Sequence, residues 1–315
     1  MLETGRKAVL ARWTELRTWP LQRYLRIGKK LLFRSAIYLT LLQLSFLFLL
    51  PLLYILSNSI KPISDFIDPT KVWIPSRIEW SNFARAWEGM DFARGLKNTL
   101  TIVIPALIGQ LLSCAVAGYG FGRYRFPGSG ILFALILITL IVPPQTIIIS
   151  LYSLFHGFGW LNTPMPFVVP AFFGQGLRGA LFVLIFMQFF RSLPREMEEA
   201  ARIDGAGAMR IFLQIMLPLV KPAIVIVVIF SFIWHWNDFY QPSLFINNGE
   251  LTTLAVKLDT LIWALNSPNG HHVAKDLTEP ILLAGCFLIV APLFIIFLFA
   301  QRHLTEGIER TGIVE

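Results

Sequence analysis

The chain has 315 residues, of which 55% are hydrophobic and 15% charged, and its formal net charge is +8. This composition argues against a soluble globular protein and favours a membrane protein with several spans. The basic residues cluster beside apolar runs rather than forming one continuous patch, so the positive charge indicates membrane topology and not nucleic-acid binding.

The first 35 residues form a basic segment. Residues 1–35 carry nine Lys or Arg and two acidic residues, with large apolar side chains at roughly helical spacing. That pattern is typical of a helix on the cytoplasmic surface of a membrane. The apolar run 37–56 is long enough to cross a bilayer. We therefore interpret 1–35 as a cytoplasmic or interfacial segment, 36–301 as a transmembrane domain and 302–315 as a cytoplasmic tail.

A mixed-charge loop separates the first apolar run from the second. Residues 57–97 hold six basic and five acidic side chains, and we place this loop outside the membrane. Residues 98–122 contain no charged side chain and predict the second span. Arg123 and Arg125 follow and favour a cytoplasmic turn. No GxxxxGK[ST] pattern occurs in the chain, so we do not expect it to hydrolyse ATP by itself.

The third and fourth spans lie in one long uncharged stretch. Residues 126–177 contain no Asp, Glu, Lys or Arg. Span three is predicted at about 131–154, interrupted by two consecutive prolines whose freed backbone groups neighbouring helices can satisfy. Span four ends near Arg191, only 12 uncharged residues after Arg178. Arg178 is therefore expected inside the membrane or near its outer edge.

A charged side chain at this depth needs an explanation. Burying an arginine in a membrane costs about 2.5–3.5 kcal/mol on insertion scales, so such a residue usually faces water or a partner. Arg178 and the nearby Gln175 could line a polar solute pathway. Alternatively, the arginine could extend to the outer interface while its stem stays in the apolar region.

A long polar segment at 191–221 interrupts the apolar second half of the chain. Three glutamates after Pro194 are placed where a helix N-terminus favours negative charge, and Gly205 supplies a helix stop. A second helix is predicted to place Met209 and Phe212 on one face before further prolines end it. The segment is therefore predicted to form a helix, a turn and a second helix in water.

The last two spans frame a possible solute site. Span five is predicted at about 222–240 and ends with Trp236, Asn237 and Asp238. An aromatic ring can cover the C–H surface of a sugar while amides and carboxylates bind its hydroxyl groups. An aromatic belt at the outer membrane interface explains the tryptophan equally well. Span six is predicted at 280–301.

The polar segment resembles the EAA motif of permease subunits of binding-protein-dependent ATP-binding cassette importers. The FPG pattern in 119–128 and the WNDF pattern at 236–239 resemble the carbohydrate-uptake branch of that family. The segment 191–221 would then be the loop that couples the permease to its ATPase. The residues that carry this coupling role by resemblance are Glu198, Glu199, Ala200, Ala201, Asp204 and Gly205.

The resemblance implies a fold and a set of partners. It implies an all-α membrane protein with six transmembrane helices and cytoplasmic N and C termini, preceded by the basic interfacial helix. The partners would be a second permease subunit forming a heterodimer, two ATPase subunits, an extracytoplasmic solute-binding protein and membrane lipid, with no nucleic acid. ATP and Mg would be bound by the ATPase subunits, and this chain would bind no cofactor and no metal.

The distribution of positive charge agrees with this topology. With six spans and the N-terminus inside, 18 Lys or Arg lie on the cytoplasmic side and eight outside, and Arg178 is left over. Short loops follow this positive-inside bias. The expected location is the cytoplasmic membrane of a bacterium or archaeon.

The sequence predicts a transport subunit and no catalytic residues. It would form half of a pathway for an oligosaccharide or similar polyhydroxylated solute. One alternative is an importer of a phosphorylated polyol such as glycerol phosphate, for which Arg178 would contact the anion. A different class, an ion-coupled secondary carrier, would need buried acid or base relays, which the predicted spans offer only at Arg178 and Asp238.

Overall fold

The computed structural model describes residues 2–266 and 278–311, with side chains described from 27 to 262 and from 278 to 301. Every regular element in these ranges is helical, which confirms the predicted all-α class. A π-helical turn spans Ile211–Met216. The α-helices are α1 (Leu2–Ser59), α2 (Ile63–Phe66), α3 (Ser81–Gly89), α4 (Phe92–Arg123), α5 (Ser129–Ile141), α6 (Pro144–Gly157), α7 (Met165–Phe172), α8 (Gly179–Ser192), α9 (Glu196–Ile203), α10 (Ala208–Arg210), α11 (Leu217–Leu219), α12 (Lys221–Asn237), α13 (Tyr240–Phe245), α14 (Leu254–Asn266) and α15 (Glu279–Thr311).

The chain divides into two compact units, Met1–Ser57 and Asn58–Glu315. The first unit is a single helix, since α1 continues from the basic segment into the apolar stretch without a break. Residues 29–36 contain neither glycine nor proline, so nothing stops the helix near residue 35. The basic segment and the first predicted span are thus parts of one helix.

In the second unit, buried polar side chains fold the segment that precedes α3. The Lys61 ammonium donates to Asn58 Oδ1 and to the Lys71 carbonyl, each at 2.8 Å. The Asp65 carboxylate accepts from Lys71 Nζ at 2.7 Å and from the Ser76 backbone N–H at 2.6 Å. Lys61 and Asp65 are 1% and 2% exposed. Because buried charges need partners, these bonds fix the path of the loop.

Helix α4 is the central helix of the second unit. It packs against α7, α8 and α12. Tyr119 of α4 lies in a buried cluster with Phe186 and Phe190 of α8. The helix begins at Phe92 and not at the predicted residue 98. The prediction was wrong by nearly two turns, because the charges before residue 98 mark the end of the apolar stretch and not the end of the helix.

Apolar length separates the helices into three kinds. Ile27–Ser59, Phe92–Arg123 and Glu279–Gln301 are each long and apolar enough to cross a membrane. Two bent pairs reach that length together, α5 with α6 and Ala208–Leu219 with α12, and α8 is a shorter apolar helix. The described helices therefore include three candidate spans, or five with the bent pairs, and the count of six stays a prediction.

The prolines predicted to interrupt span three turn the chain sharply. Helix α5 ends at Ile141 and α6 begins at Pro144, and the two axes differ by 102°. Residues 131–154 are therefore not one continuous helix. Proline lacks a backbone N–H and restricts the preceding residue to extended conformations, and Val142 and Pro143 adopt that conformation.

We predict that Asp65→Asn exposes the loop before α3 to proteolysis. Hydrogen bonds from Lys71 and then from Ser76 lower the pKa of Asp65. A carboxylate with a lowered pKa stabilises the folded state above its unfolded pKa of about 4, and the contribution is lost as pH falls through the folded value. Limited proteolysis at pH 7 should therefore cut residues 60–80 faster in the variant than in the wild type.

The matched control is Asp68→Asn. Its carboxylate is 36% exposed and lies 4.0 Å from the same ammonium of Lys71, so we expect a smaller change. Equal cleavage of Asp65→Asn and wild type at pH 7 would contradict the role of Asp65.

Candidate functional site

The segment 191–221 forms the predicted helix, turn and second helix. Helix α9 ends at Ile203, and Gly205 follows with φ of +80°. This left-handed conformation suits glycine because it has no Cβ. The turn is closed by bonds from the Gly205 N–H to the Arg202 carbonyl at 3.0 Å and from the Ala206 N–H to the Ala201 carbonyl at 2.9 Å.

One glutamate of the segment is buried. Glu198 Oε1 accepts a hydrogen bond from Arg123 Nε at 2.8 Å, and the two side chains are 8% and 4% exposed. Arg202, which is 56% exposed, lies 3.9 Å from the other carboxylate oxygen. Of the predicted coupling residues, Glu198 and Ala201 face the protein, whereas Glu199, Ala200, Asp204 and Gly205 are exposed.

The same arginine also binds the end of α8. Arg123 donates from Nη1 to the carbonyls of Phe190 at 3.3 Å and Leu193 at 2.8 Å, and from Nη2 to the Pro194 carbonyl at 3.2 Å. These oxygens lie at and just beyond the C-terminal end of α8, where backbone carbonyls lack helical partners and favour positive charge. One guanidinium therefore joins the ends of α4 and α8 to α9 through Glu198.

The outer side of the segment presents apolar side chains. Ile203 is 87% exposed and Met209 is 70% exposed, one on each side of the Gly205 turn. Met209 does not share a face with Phe212, which is buried and packs on Tyr119. That part of the prediction was wrong, since Met209 lies in the short helix α10 beside the turn, whereas Phe212 lies in the following π-helical turn and packs into the core.

The second group of predicted residues lies near the break between α7 and α8. Gly176 and Arg178 have φ values of +113° and +60°, and Arg178 immediately precedes α8. The Arg178 guanidinium lies 5.7 Å from the centre of the Trp234 ring, within the range of a cation–π contact. Arg178 and Gln175 are both exposed.

The residues predicted on α12 separate into two environments. Asn237 is exposed, and Asp238 Oδ1 accepts from the Gln241 N–H at 3.3 Å. Trp236 is 2% exposed, and its Nε1 donates to the Ile289 carbonyl at 3.2 Å. Its ring is therefore covered by packing, and Trp234 is the aromatic residue beside Arg178. The sequence places both tryptophans at the end of one span but does not indicate which faces the break.

Comparison with known proteins identifies the family. Residues 114–310 match the family model described as binding-protein-dependent transport system inner membrane component, and the chain belongs to this family. The diacetylchitobiose uptake system permease protein of Streptomyces coelicolor is 28% identical, with 88% of each chain covered. The arabinooligosaccharides transport system permease protein of Bacillus subtilis is 28% identical, with 89% of this chain and 96% of the relative covered.

A solved structure has the same fold. The crystal structure of a bacterial ABC transporter involved in the import of the acidic polysaccharide alginate matches with a TM-score of 0.74 and 21% identity, covering 86% of this chain and 96% of the other. The resemblance to sugar permeases of ABC importers, recognised in the EAA motif, is confirmed. Family membership argues against the ion-coupled carrier.

We predict that Glu198→Gln destabilises the permease more than Arg202→Gln, which changes the exposed ion-pair partner of Glu198. Removing one charge of a buried ion pair leaves the other uncompensated and costs about 3–5 kcal/mol. An exposed ion pair contributes about 0–1 kcal/mol. Thermal denaturation of the purified complex in detergent should therefore show a large loss for Glu198→Gln and almost none for Arg202→Gln. Equal losses of thermal stability in the two variants would contradict a stabilising role for the buried contact between Glu198 and Arg123.

Proposed function

We propose that this chain is one of two membrane-spanning subunits of an ATP-driven importer, and that residues 191–221 couple it to a separate ATPase. The observation that carries the proposal is the buried contact between Arg123 and Glu198. Through this contact, a force applied to α9 reaches the ends of α4 and α8. The chain would contribute positioning and alternating access, and no covalent chemistry.

The exposed side of the segment supports an ATPase subunit as its partner. Ile203 and Met209 project on either side of a tight turn and would bury apolar area against that subunit. ATP and Mg would be bound by the two ATPase subunits, since this chain has no phosphate-binding GxxxxGK[ST] pattern. A change in the ATPase dimer on binding ATP would then move α9.

The solute is proposed to be an oligosaccharide or a similar polyhydroxylated molecule. The names of the relatives from Streptomyces and Bacillus give sugar oligomers as their cargo. Near the α7–α8 break, Arg178 and Gln175 offer hydrogen-bond donors and Trp234 offers an aromatic face, and the exposed Asn237 at the end of α12 offers a further amide. The exposed guanidinium also favours a second candidate, a phosphorylated polyol, because arginine binds phosphate strongly.

The membrane arrangement completes the proposal. Six spans with both termini in the cytoplasm would place 191–221 inside the cell and the segment before α3 outside. A solute-binding protein would dock on the outer side, where Asn162 Oδ1 accepts the N–H groups of Asn247 at 2.6 Å and Asn248 at 3.0 Å. This pair of bonds ties two connecting segments together. A second permease subunit would complete the pathway in the cytoplasmic membrane of a bacterium or archaeon.

Gly205→Val tests the coupling role. Valine in the left-handed conformation is strained by roughly 1–2 kcal/mol, so the turn between Ile203 and Met209 should change shape. In proteoliposomes with the binding protein, we expect solute-stimulated ATP hydrolysis and import to fall severalfold while membrane insertion is unchanged.

Gly207→Val is the matched control for that variant. Gly207 has φ of −71°, and a Cβ at either glycine would meet no atom within 4 Å. The valine side chain therefore has room at both positions, and the two variants differ only in the backbone strain that it causes. If solute-stimulated hydrolysis survived unchanged in Gly205→Val, the turn would have no part in coupling.

Arg178→Ala tests the solute pathway. Stimulation of ATP hydrolysis by malto-, arabino- and chito-oligosaccharides and by glycerol phosphate would identify the solute class. Because the guanidinium is charged, its hydrogen bond to a neutral hydroxyl is worth about 1.5–3 kcal/mol, and a bidentate pair with an anion is stronger. The half-saturation concentration should therefore rise about tenfold for a neutral solute and by a larger factor for an anion. The exposed Arg125, changed to alanine, is the control, and an equal effect of both variants would contradict the role of Arg178.

A further inference from the structure

The backbone of the α7–α8 break is bound by one face of α4. Ser113 Oγ donates to the Ala171 carbonyl at 2.7 Å, and Gln110 Nε2 donates to the Leu177 carbonyl at 2.8 Å. A break in an apolar region frees backbone groups that need other partners. Side chains of α4 supply those partners at both ends of the break.

Gln110 also binds α12. Its Oε1 accepts a hydrogen bond from Ser231 Oγ at 2.8 Å. His235 Nδ1 lies 2.8 Å from the Ser231 carbonyl, so this nitrogen carries the proton and donates. Gln110 and Ser231 are both 0% exposed. A single buried amide therefore connects three elements, using its donor toward the break and its acceptor toward α12.

The position of this amide matters for Arg178. Leu177, which accepts the bond from Gln110, directly precedes Arg178. Ser231 lies three residues before Trp234, which is nearly one turn of α12. The Gln110–Ser231 bridge thus holds both the arginine and the tryptophan of the cation–π pair through neighbouring residues.

The break also wraps closely around the amide. A Cβ at Gly176 would lie 3.3 Å from Gln110 Nε2 and 3.7 Å from the Ala171 Cα. The φ of +113° at Gly176 is one that residues with side chains rarely adopt. A side chain at Gly176 would therefore crowd Gln110 and strain the backbone of the break.

We propose that Gln110 and Ser231 are positioning residues that set the affinity of the pathway for its solute by holding Arg178 over Trp234. The inference rests on the proposed function, because it assumes that Arg178 contacts the solute. The two buried side chains act without touching the solute. When α12 moves during transport, the bridge transfers that movement to the Arg178 turn.

A labelling experiment tests the bridge without any solute. A cysteine introduced at the exposed position Gln175 is labelled with a membrane-impermeant maleimide in the assembled complex, and the chain without this cysteine gives the background. We expect Ser231→Ala to change the labelling rate about three- to tenfold, as for the loss of one hydrogen bond within a membrane protein. Ser231→Thr keeps the hydroxyl and should restore the wild-type rate.

Thr99→Val is the matched control for buried polar packing. Thr99 is 1% exposed, and its Oγ1 accepts from the Leu254 N–H at 3.0 Å and donates to the Gly95 carbonyl at 2.8 Å. It lies on α4, as Gln110 does, but binds no residue of the break. Equal labelling rates in Ser231→Ala, Thr99→Val and wild type would overturn the proposal.

Import kinetics separate this inference from the proposed function. The probe is whichever saccharide of the panel stimulates ATP hydrolysis most. Ser231→Ala should raise the half-saturation concentration for this saccharide about three- to tenfold, while the maximal import rate stays within about twofold of wild type. In a chain that already carries Arg178→Ala, adding Ser231→Ala should have no further effect. A full additional effect in that chain would refute positioning through Arg178. If Arg178→Ala left import unchanged while Ser231→Ala altered labelling, the bridge would stand and the solute role of Arg178 would fail.

Discussion

A buried ion pair fixes the place of the segment 191–221. Arg123 and Glu198 lie on helices far apart in sequence, and each charge would be costly to bury alone. Because the arginine also binds three carbonyls at and just beyond the end of α8, moving it away would leave the buried Glu198 carboxylate without its partner and remove the donor from these carbonyls. The ends of α4 and α8 and the first helix of the segment are therefore expected to move together.

Helix α4 connects this ion pair with the α7–α8 break. Arg123 is its last residue, and Gln110 lies 13 residues earlier, about 20 Å along the helix. One end binds the segment proposed to meet the ATPase, and the middle binds the turn that carries Arg178. Large movements within α4 would break both sets of bonds, so we expect this helix to move as one body. Its movement would change the α7–α8 break and the segment 191–221 at the same time.

The sequence predicted where the helices and turns lie better than it predicted which side of each helix is buried. Apolar runs, prolines and Gly205 located the helices and the turn of 191–221, because these signals are local. Whether Glu198 or Glu199 is buried depends on which helix lies opposite, and adjacent residues of a helix point in different directions. The same limit applies to Trp234 and Trp236, which share a span but face different neighbours.

Bends and helix starts were also hard to predict. Two prolines indicated an interruption in span three, but the angle of 102° depends on the packing of α6 as well as on the prolines. The start of α4 was misplaced because apolar length marks a membrane span and not the end of a helix. The Gln110–Ser231 bridge joins residues 121 positions apart, and no local pattern indicates such a contact.

The most direct test of the account is the number of solute molecules imported per ATP hydrolysed by a reconstituted complex carrying Arg123→Met. If the buried ion pair transmits movement from the ATPase to the pathway, this ratio should fall severalfold while ATP hydrolysis continues. An assembled complex that lacks Arg123 and keeps the wild-type ratio would show that coupling does not pass through this contact.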